Sequence, residues 1–328
     1  MSGGTWWKRP WRIFWPEPVD VVYTWVDGSD PQFQHALQRH APGHTRKEEE
    51  ATKTSRFRDS GELRFSLRSL EAHVPWIRRV FLVTNGQVPP WLRRDHPRLR
   101  LVTHGEIFRD TAHLPTFNSA AIEAHLHRIP KLSRRFLFLN DDMFFGRDAA
   151  RMDFLTPDGR PRVWVDPWEM PTTLSEENDL PWRWLWYNRR LLEKTLGPGR
   201  YPGPTHAPIL FDRAALEKIE TQWQEEFSRT SAQRIRTGEM AMPHVLYVHW
   251  LAARGGCELQ VVSETPYPFV RIRPPLENVR KELELLRSRR PLFFCINDDW
   301  DGAAEIKQAI LDPFLADYFP TPSSFEMP

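Results

Sequence analysis

Val19-Asp-Val-Val-Tyr-Thr-Trp-Val26 runs directly into Asp27-Gly-Ser-Asp-Pro31. The first stretch is β-branched and aromatic apart from one Asp, which predicts a buried strand. The second is a string of turn formers. The same pattern recurs downstream. Residues 79–84 predict a strand ending at Asn85-Gly86, residues 98–103 a strand ending at His104, and residues 135–139 a strand ending at Asn140-Asp141-Asp142. Between the first two, Asp59 and Glu62 are spaced as a capping box ahead of Leu63, Leu67 and Leu70. That spacing predicts a helix that stops before Pro75. Residues 118–129 read as a further helix. Strands alternating with helices predict an α/β fold with a mainly parallel sheet and helices on its faces. In open sheets of this kind ligands bind beyond the carboxyl ends of the strands. The polar strand ends are therefore expected to share one crevice.

Outward from this core the signals thin. Residues 41–57 are polar and charged and read as a mobile loop. Residues 150–205 are rich in Pro and Trp, with a helix expected near 182–196 and a loop over 197–204. Helices are expected around 211–227, 239–253, 275–288 and 303–317, and strands near 258–263 and 292–296. Asn297-Asp298-Asp299 repeats the strand-then-acid arrangement. Residues 1–18 stand apart as an arm in which Trp6, Trp7, Trp11, Phe14 and Trp15 alternate with Lys8, Arg9 and Arg12. Aromatics beside cations suit the interface of an anionic membrane. The alternatives are an arm packed on the domain or a homodimer contact. The remainder, 19–328, reads as a single domain.

Composition narrows the class. The chain has 328 residues, 40% hydrophobic, with 20 Phe and 15 Trp. A chain of that length buries about three-quarters of its unfolded surface, which excludes wholesale disorder. No segment approaches the ~18 uncharged apolar residues of a membrane-spanning helix. The 45 basic and 43 acidic residues leave a net charge of +2, unlike a bulk nucleic-acid binder. Cys257 and Cys295 match no zinc or CxxC spacing and are expected to be buried thiols in a reducing cytoplasm. No secretory signal is recognised at the N-terminus, so a cytoplasmic location is expected, at the inner face of the membrane if the arm attaches there.

Asn140-Asp141-Asp142 carries the strongest chemical signal. Adjacent carboxylates at a strand end are costly unless neutralised, and a hard divalent cation shared with a diphosphate does this. Solvated turn acids are the alternative. Asp298 has the same context. His206, in Thr205-His-Ala-Pro208, follows a Pro/Gly loop and is suited to act as a base or a phosphate donor. Arg234 and Arg236 can clamp phosphate oxygens, or be surface charges. GxxxxGK[ST], GxGxxG and GxSxG are all absent from the sequence, which removes P-loop kinases, dinucleotide dehydrogenases and α/β-hydrolases as first choices.

Taken together, four blocks resemble the Stealth family of hexose-1-phosphate transferases: Asp20–Pro31 (DVVYTWVDGSDP) within 19–40; RFRDSGELRFSLRS from Arg56, FLVTNGQ from Phe81, LPTFNS from Leu114 and FLNDD from Phe138 within 56–148; Thr205-His-Ala-Pro208 through Arg236 within 201–253; and CINDD from Cys295 with the tail from Phe319 within 290–328. The family includes bacterial capsular-polysaccharide phosphotransferases and the catalytic α/β subunits of animal GlcNAc-1-phosphotransferase. The resemblance implies a Rossmann-like, GT-A-like nucleotide-sugar fold, a UDP-sugar donor such as UDP-GlcNAc, and Mg2+ with Mn2+ as a substitute. It implies catalytic roles for Asp141, His206 and Arg236, and Asp141, Asp142 and Asp298 as the residues at the metal. Tyr23, Trp25, Asp27, Asp30, Thr84, Asn85 and Gly86 are expected to seat uridine and sugar, and Arg64, Arg68, Asn118, Asn140, Arg234 and Asn297 to contact substrate.

The long insertions of the animal enzymes are missing between these blocks, which favours the compact bacterial type with a glycan or glycolipid acceptor. The implied reaction is transfer of a sugar-1-phosphate to a hydroxyl with release of UMP. An ordinary glycosyltransferase releasing UDP and a non-catalytic glycan or nucleotide-sugar binding module remain as alternatives.

Overall fold

Strand β1 (Val19–Thr24) lies at the centre of a five-stranded sheet, between β2 (Val80–Thr84) and β4 (Arg135–Asn140). Outside β2 lies β3 (Leu99–Thr103), and outside β4 lies a later strand, Ile209–Asp212. The first four are parallel, as expected, and the fifth is antiparallel. The chain moves outward from β1 through β2 to β3, then crosses back to β4 on the other side. The order therefore reverses between β1 and β4, where Thr24 and Asn140 are register partners. That reversal opens a crevice at the strands' carboxyl ends. The structure is a computed structural model and describes residues 17–41, 46–262 and 268–328; most of the expected membrane-binding arm, 1–16, lies outside the described residues.

Alternation along the strands explains why both faces are covered. Val22, Phe81, Val83, Phe136 and Phe138 point to one face, where they pack with Val245, Leu246 and Val248 of the helix Pro243–Ala252. Val21, Tyr23, Leu82, Leu137 and Leu139 point to the other, against Leu63, Leu67 and Leu70 of the helix Glu62–His73. Side chains that alternate with period two thus give each face its own core.

Two three-stranded sheets flank this one, and neither was anticipated. β5 (Met143–Phe145) follows β4 after only two residues, β6 covers Arg162–Glu169, and β7 is Pro202–Pro204. With Ile209–Asp212 as β8, the chain continues through β9 (Glu258–Val261), β10 (Phe269–Ile272) and β11 (Phe293–Asp298). β11 lies between β10, parallel to it, and β5, antiparallel to it. β6 lies between β7 and β9. Asn297 and Asp298 therefore belong to the second sheet, and the Asp141–Asp142 link joins that sheet to the first.

Several expected elements differ. The helix over 118–129 is a five-residue helix, Ser119–Glu123, and a separate 3-10 turn, Leu126–Arg128, since Pro130 cannot extend a helix. The loop over 41–57 contains a helix, Arg46–Ala51, and a 3-10 turn, Thr54–Arg56. Asp59 and Glu62 do not form a capping box: Asp59 accepts from the Gly61 amide and Glu62 from the Ser60 amide, while Gly61 takes the N-cap at φ +85°. The loop over 197–204 ends in β7, an edge strand that tolerates its prolines. Cys257 and Cys295 are free and buried, as expected. Among the described residues, no helix is long and apolar enough to cross a membrane.

Candidate active site

Asp141 and Asp142 occupy the link between β4 and β5, at the mouth of the crevice. Asp142 is held from β11: its Oδ2 accepts from Asn297 Nδ2 at 3.2 Å, and its carbonyl accepts from the Ile296 amide at 3.0 Å. Its Oδ1 is buried with no hydrogen-bond partner. Asp59 and Glu62, at the start of the helix 62–73, bring two more carboxyls alongside. Burial, followed by the charges of Asp142, Glu62 and Asp59, lifts the Asp141 carboxyl well above its usual range. Burial likewise raises Asp142 to about 6, against the lowering effect of Asn297 and the Cys295 thiol. Asp59 also rises to about 6, again chiefly through burial. So much acid in one low-dielectric place calls for a cation.

The protein's own cations lie to one side of this group. Buried Lys307 bridges Glu62 at 3.1 Å and Asp298 at 2.8 Å, and Arg58 adds a 3.2 Å bond to Asp298. The Trp300 amide donates to the other Asp298 oxygen at 3.3 Å. Asp298 was expected at the metal; both of its oxygens are instead engaged inside the protein. Asp141 and Asp142 have no ion-pair partner among the described residues. Their donor chemistry fits a hard divalent cation, and the orphaned Oδ1 offers a free ligand. Among the described residues there is no cluster of three or more His, Cys, Asp or Glu side chains arranged to hold a metal. A cation here would need a substrate's oxygens and water to complete its shell.

His206 lies just beyond β7. Its ring stacks on Phe269 of β10 with centroids 4.2 Å apart and 12° between planes. Phe269 is the register partner of Cys295, whose thiol lies against Asp142, so the imidazole is two strands from the acid pair. An edge of the ring is open to solvent. Desolvation by the surrounding protein, then the charges of His244 and Arg271, nonetheless pull its pKa down to about 4. Two positive neighbours secure the direction; the open edge limits the size. The ring is neutral at pH 7.

Arg236 donates to Ser119 Oγ at 2.9 Å and lies 5.9 Å from the centroid of the Trp184 ring. Arg56 lies 5.7 Å from the same ring. Burial and the neighbouring Arg56 charge bring Arg236 down to about 9. Two guanidiniums that crowd one indole form a site an anion would relieve.

The other expected contacts divide sharply. Arg64 and Arg68 are engaged by Glu326, and Arg68 also by the Phe319 carbonyl. Arg234 donates to the carbonyls of Ala112 and Leu114. Asn118 is fully buried; it caps the helix Ser119–Glu123 and donates to the Gln233 carbonyl. Tyr23 is buried with its hydroxyl on Ser66, and Trp25 is buried beneath the crevice. Asp27 and Asp30 cap local turns, while Gln87 laces the Asp27 backbone to the Thr84-Asn85-Gly86 turn through two 2.9 Å bonds. Asn140 ends β4 at the switch point, and Asn297 orients Asp142.

Four regions described as conserved in Stealth proteins match this chain in order: region 1 over 17–40, region 2 over 56–163, region 3 over 205–253 and region 4 over 284–328. The chain belongs to the Stealth family. An exopolysaccharide phosphotransferase of Streptomyces coelicolor is 39% identical over 314 residues, covering 94% of this chain and 52% of that protein. A relative of the same name in Nocardia farcinica is 32% identical, over 98% of this chain and 64% of its own length. This chain thus spans one-half to two-thirds of these relatives. Among solved structures, the galactosyltransferase LgtC aligns with 94% of the chain and 98% of its own at a TM-score of 0.41 and 11% identity, a likeness too distant to assign topology.

For this Stealth chain, sequence reading missed Arg56, Arg58, Lys307, Glu123 and His244. Arg56 and Arg58 fell in a stretch read as loop, and Lys307 in a helix with no visible active-site pattern. Glu123 and His244 are far apart in sequence, so only the fold pairs them: His244 Nδ1 lies 2.9 Å and 3.1 Å from the two Glu123 oxygens.

Proposed function

We propose that this Stealth chain transfers a sugar-1-phosphate, GlcNAc-1-phosphate or a close relative, from a UDP-sugar to a hydroxyl of a glycan or glycolipid. The acceptor oxygen attacks the β-phosphorus and the bond to UMP breaks. A phosphodiester forms, and the hydroxyl proton passes to a base. The reading rests on family membership and on the names of the relatives. The observation that carries it is the Asp141–Asp142 pair at the switch point, buried, without a protein cation, with one oxygen unclaimed. A nucleotide diphosphate with its cation answers that arrangement, in the manner of a GT-A-like nucleotide-sugar fold.

Asp141 and Asp142 would hold Mg2+, with Mn2+ as a substitute, which when bound neutralises diphosphate charge. Arg236, with Arg56 beside the same indole, is placed to neutralise charge that develops on the transferring phosphoryl oxygens. His206, neutral and fixed by its stack on Phe269, is suited to donate a hydrogen bond to the same group. The Asp27 and Thr84–Gln87 turns, laced together, line the nucleotide side. Residues 19–328 act as one catalytic domain in this reading, and the arm of residues 1–18 brings it to lipid-carried acceptors at the inner face of the membrane.

The deciding experiment identifies the nucleotide released from a panel of UDP-sugars with Mg2+. UMP is expected. UDP would instead mean attack at the sugar carbon, and the chain would be an ordinary glycosyltransferase.

A further inference from the structure

Phosphoryl transfer to a hydroxyl needs a group that accepts the hydroxyl proton. His206 is poorly suited to that task, because it is crowded, stacked and flanked by positive charge. A second imidazole stands nearby with the opposite surroundings. Glu123, 6% exposed, accepts both the backbone amide of His244, at 2.6 Å, and its ring Nδ1. A carboxylate bound to Nδ1 keeps the proton there and leaves Nε2 with its lone pair. His244 lines a small cavity with Thr205, the residue before His206, and is close enough to His206 for their charges to interact. The helix Ser119–Glu123 is common to both halves of the site: Ser119 holds Arg236 and Glu123 holds His244.

We infer that His244 is the general base that takes the acceptor hydroxyl's proton, with Glu123 as its positioning residue, while His206 serves as a neutral hydrogen-bond donor. The inference rests on the transfer reaction proposed above. In the step, the acceptor O–H bond breaks as the O–P bond forms, the proton goes to Nε2 of His244, and the electron pair of the breaking P–O bond leaves with UMP. The charged or titratable groups recorded around His244 are Glu123, His206 across the cavity, and His249 on its own helix, which is bonded to the Pro202 carbonyl. The helices Leu180–Leu196 and Arg213–Gln222 also pack on 243–252, and neither makes an ion pair with His244 among the described residues.

Chemical rescue tests this directly. His244→Ala in the full chain is expected to lose about a hundredfold in kcat, the usual contribution of a general base, with little change in KM for the UDP-sugar. Imidazole added to the buffer should restore at least about tenfold of that loss, and substituted imidazoles should do so in order of their basicity. Glu123→Gln should lower kcat at least about tenfold without imidazole rescue. His206→Ala should not be rescued by imidazole. His244→Gln, which keeps polar bulk, covers the case in which Ala disturbs folding; it should show the same loss in kcat. A His244→Ala enzyme within about threefold of wild type, or rescue by imidazole of His206→Ala alone, overturns the assignment. Release of UDP by the wild type would overturn the phosphotransfer reading and leave the base in place, because hydroxyl attack at carbon still needs one; the rescue series reads it equally. A wild type that releases neither nucleotide overturns both.

Discussion

At the scale of single residues, the site works by placing charge where protein alone leaves it unbalanced. Asp141 and Asp142 are buried together and lack the cation that Lys307 gives to Glu62 and Asp298. Asp141→Asn keeps the shape and removes a charge, so it should cost more than about a hundredfold in UMP release, and EDTA should abolish turnover of the wild type. Full activity in EDTA would take the metal out of the mechanism. Arg236 presents a complementary case. Arg236→Lys keeps a charge but loses the planar fork that binds two oxygens at once. It should lower kcat by at least about tenfold while KM for donor changes little, the signature of an interaction made in the transition state. An effect confined to KM would demote Arg236 to a donor-binding residue.

At the scale of elements, the site depends on a join between sheets. Arg58, Asp298, Lys307 and Glu62 form a buried chain of charges that ties β11 and the helix Ala304–Tyr318 to the start of the helix 62–73. Lys307→Met would strand two buried carboxylates and should destabilise the fold by about 3–5 kcal/mol, read from urea unfolding at pH 7. A loss below about 1 kcal/mol would mean that water or another cation replaces the ammonium. This join also marks the limit of what the sequence disclosed. The four parallel strands were legible because each is a short apolar run closed by turn residues. Asp141, His206 and Arg236 were legible because they stand in recognisable blocks. β5 and β10 were not, since three or four residues carry too little period to be seen. Asp298 was misplaced for a related reason: its motif copies that of Asp141, but its strand lies in another sheet, facing Arg58 and Lys307. Arg64 and Arg68 look like phosphate ligands in sequence, and nothing local reveals that Glu326, more than 250 residues away, claims them.

At the scale of the whole molecule, the last ten residues close the structure over its second conserved region. Phe325 accepts from the Arg93 amide, and Met327 donates to the Trp91 carbonyl, so the tail pairs with the segment after β2. Ser324 is bonded to Glu71 and faces His96. Glu326 is the centre of this closure. Its two oxygens accept from Arg68 Nε at 2.7 Å and Nη2 at 2.8 Å, from Arg64, and from the Ser323 amide at 2.8 Å. Burial alone would raise its pKa; the Arg68, Ser323 and Arg64 bonds overcome that and hold it down to about 2. A carboxyl depressed in the folded state stabilises the fold fully above its unfolded pKa, near 4.5, and the contribution fades as pH falls through the folded value. The side chain is 3% exposed, so solvent screens the effect little, and its size is about 3 kcal/mol at neutral pH. Glu326→Gln should therefore unfold at lower urea concentration than wild type at pH 7 and at pH 5. The gap should narrow between pH 4.5 and 2, because the wild-type carboxyl is then being protonated too. If the gap instead stays constant down to pH 2, the Glu326 charge contributes nothing, and the tail is held by its backbone pairing and by Phe325 in the core.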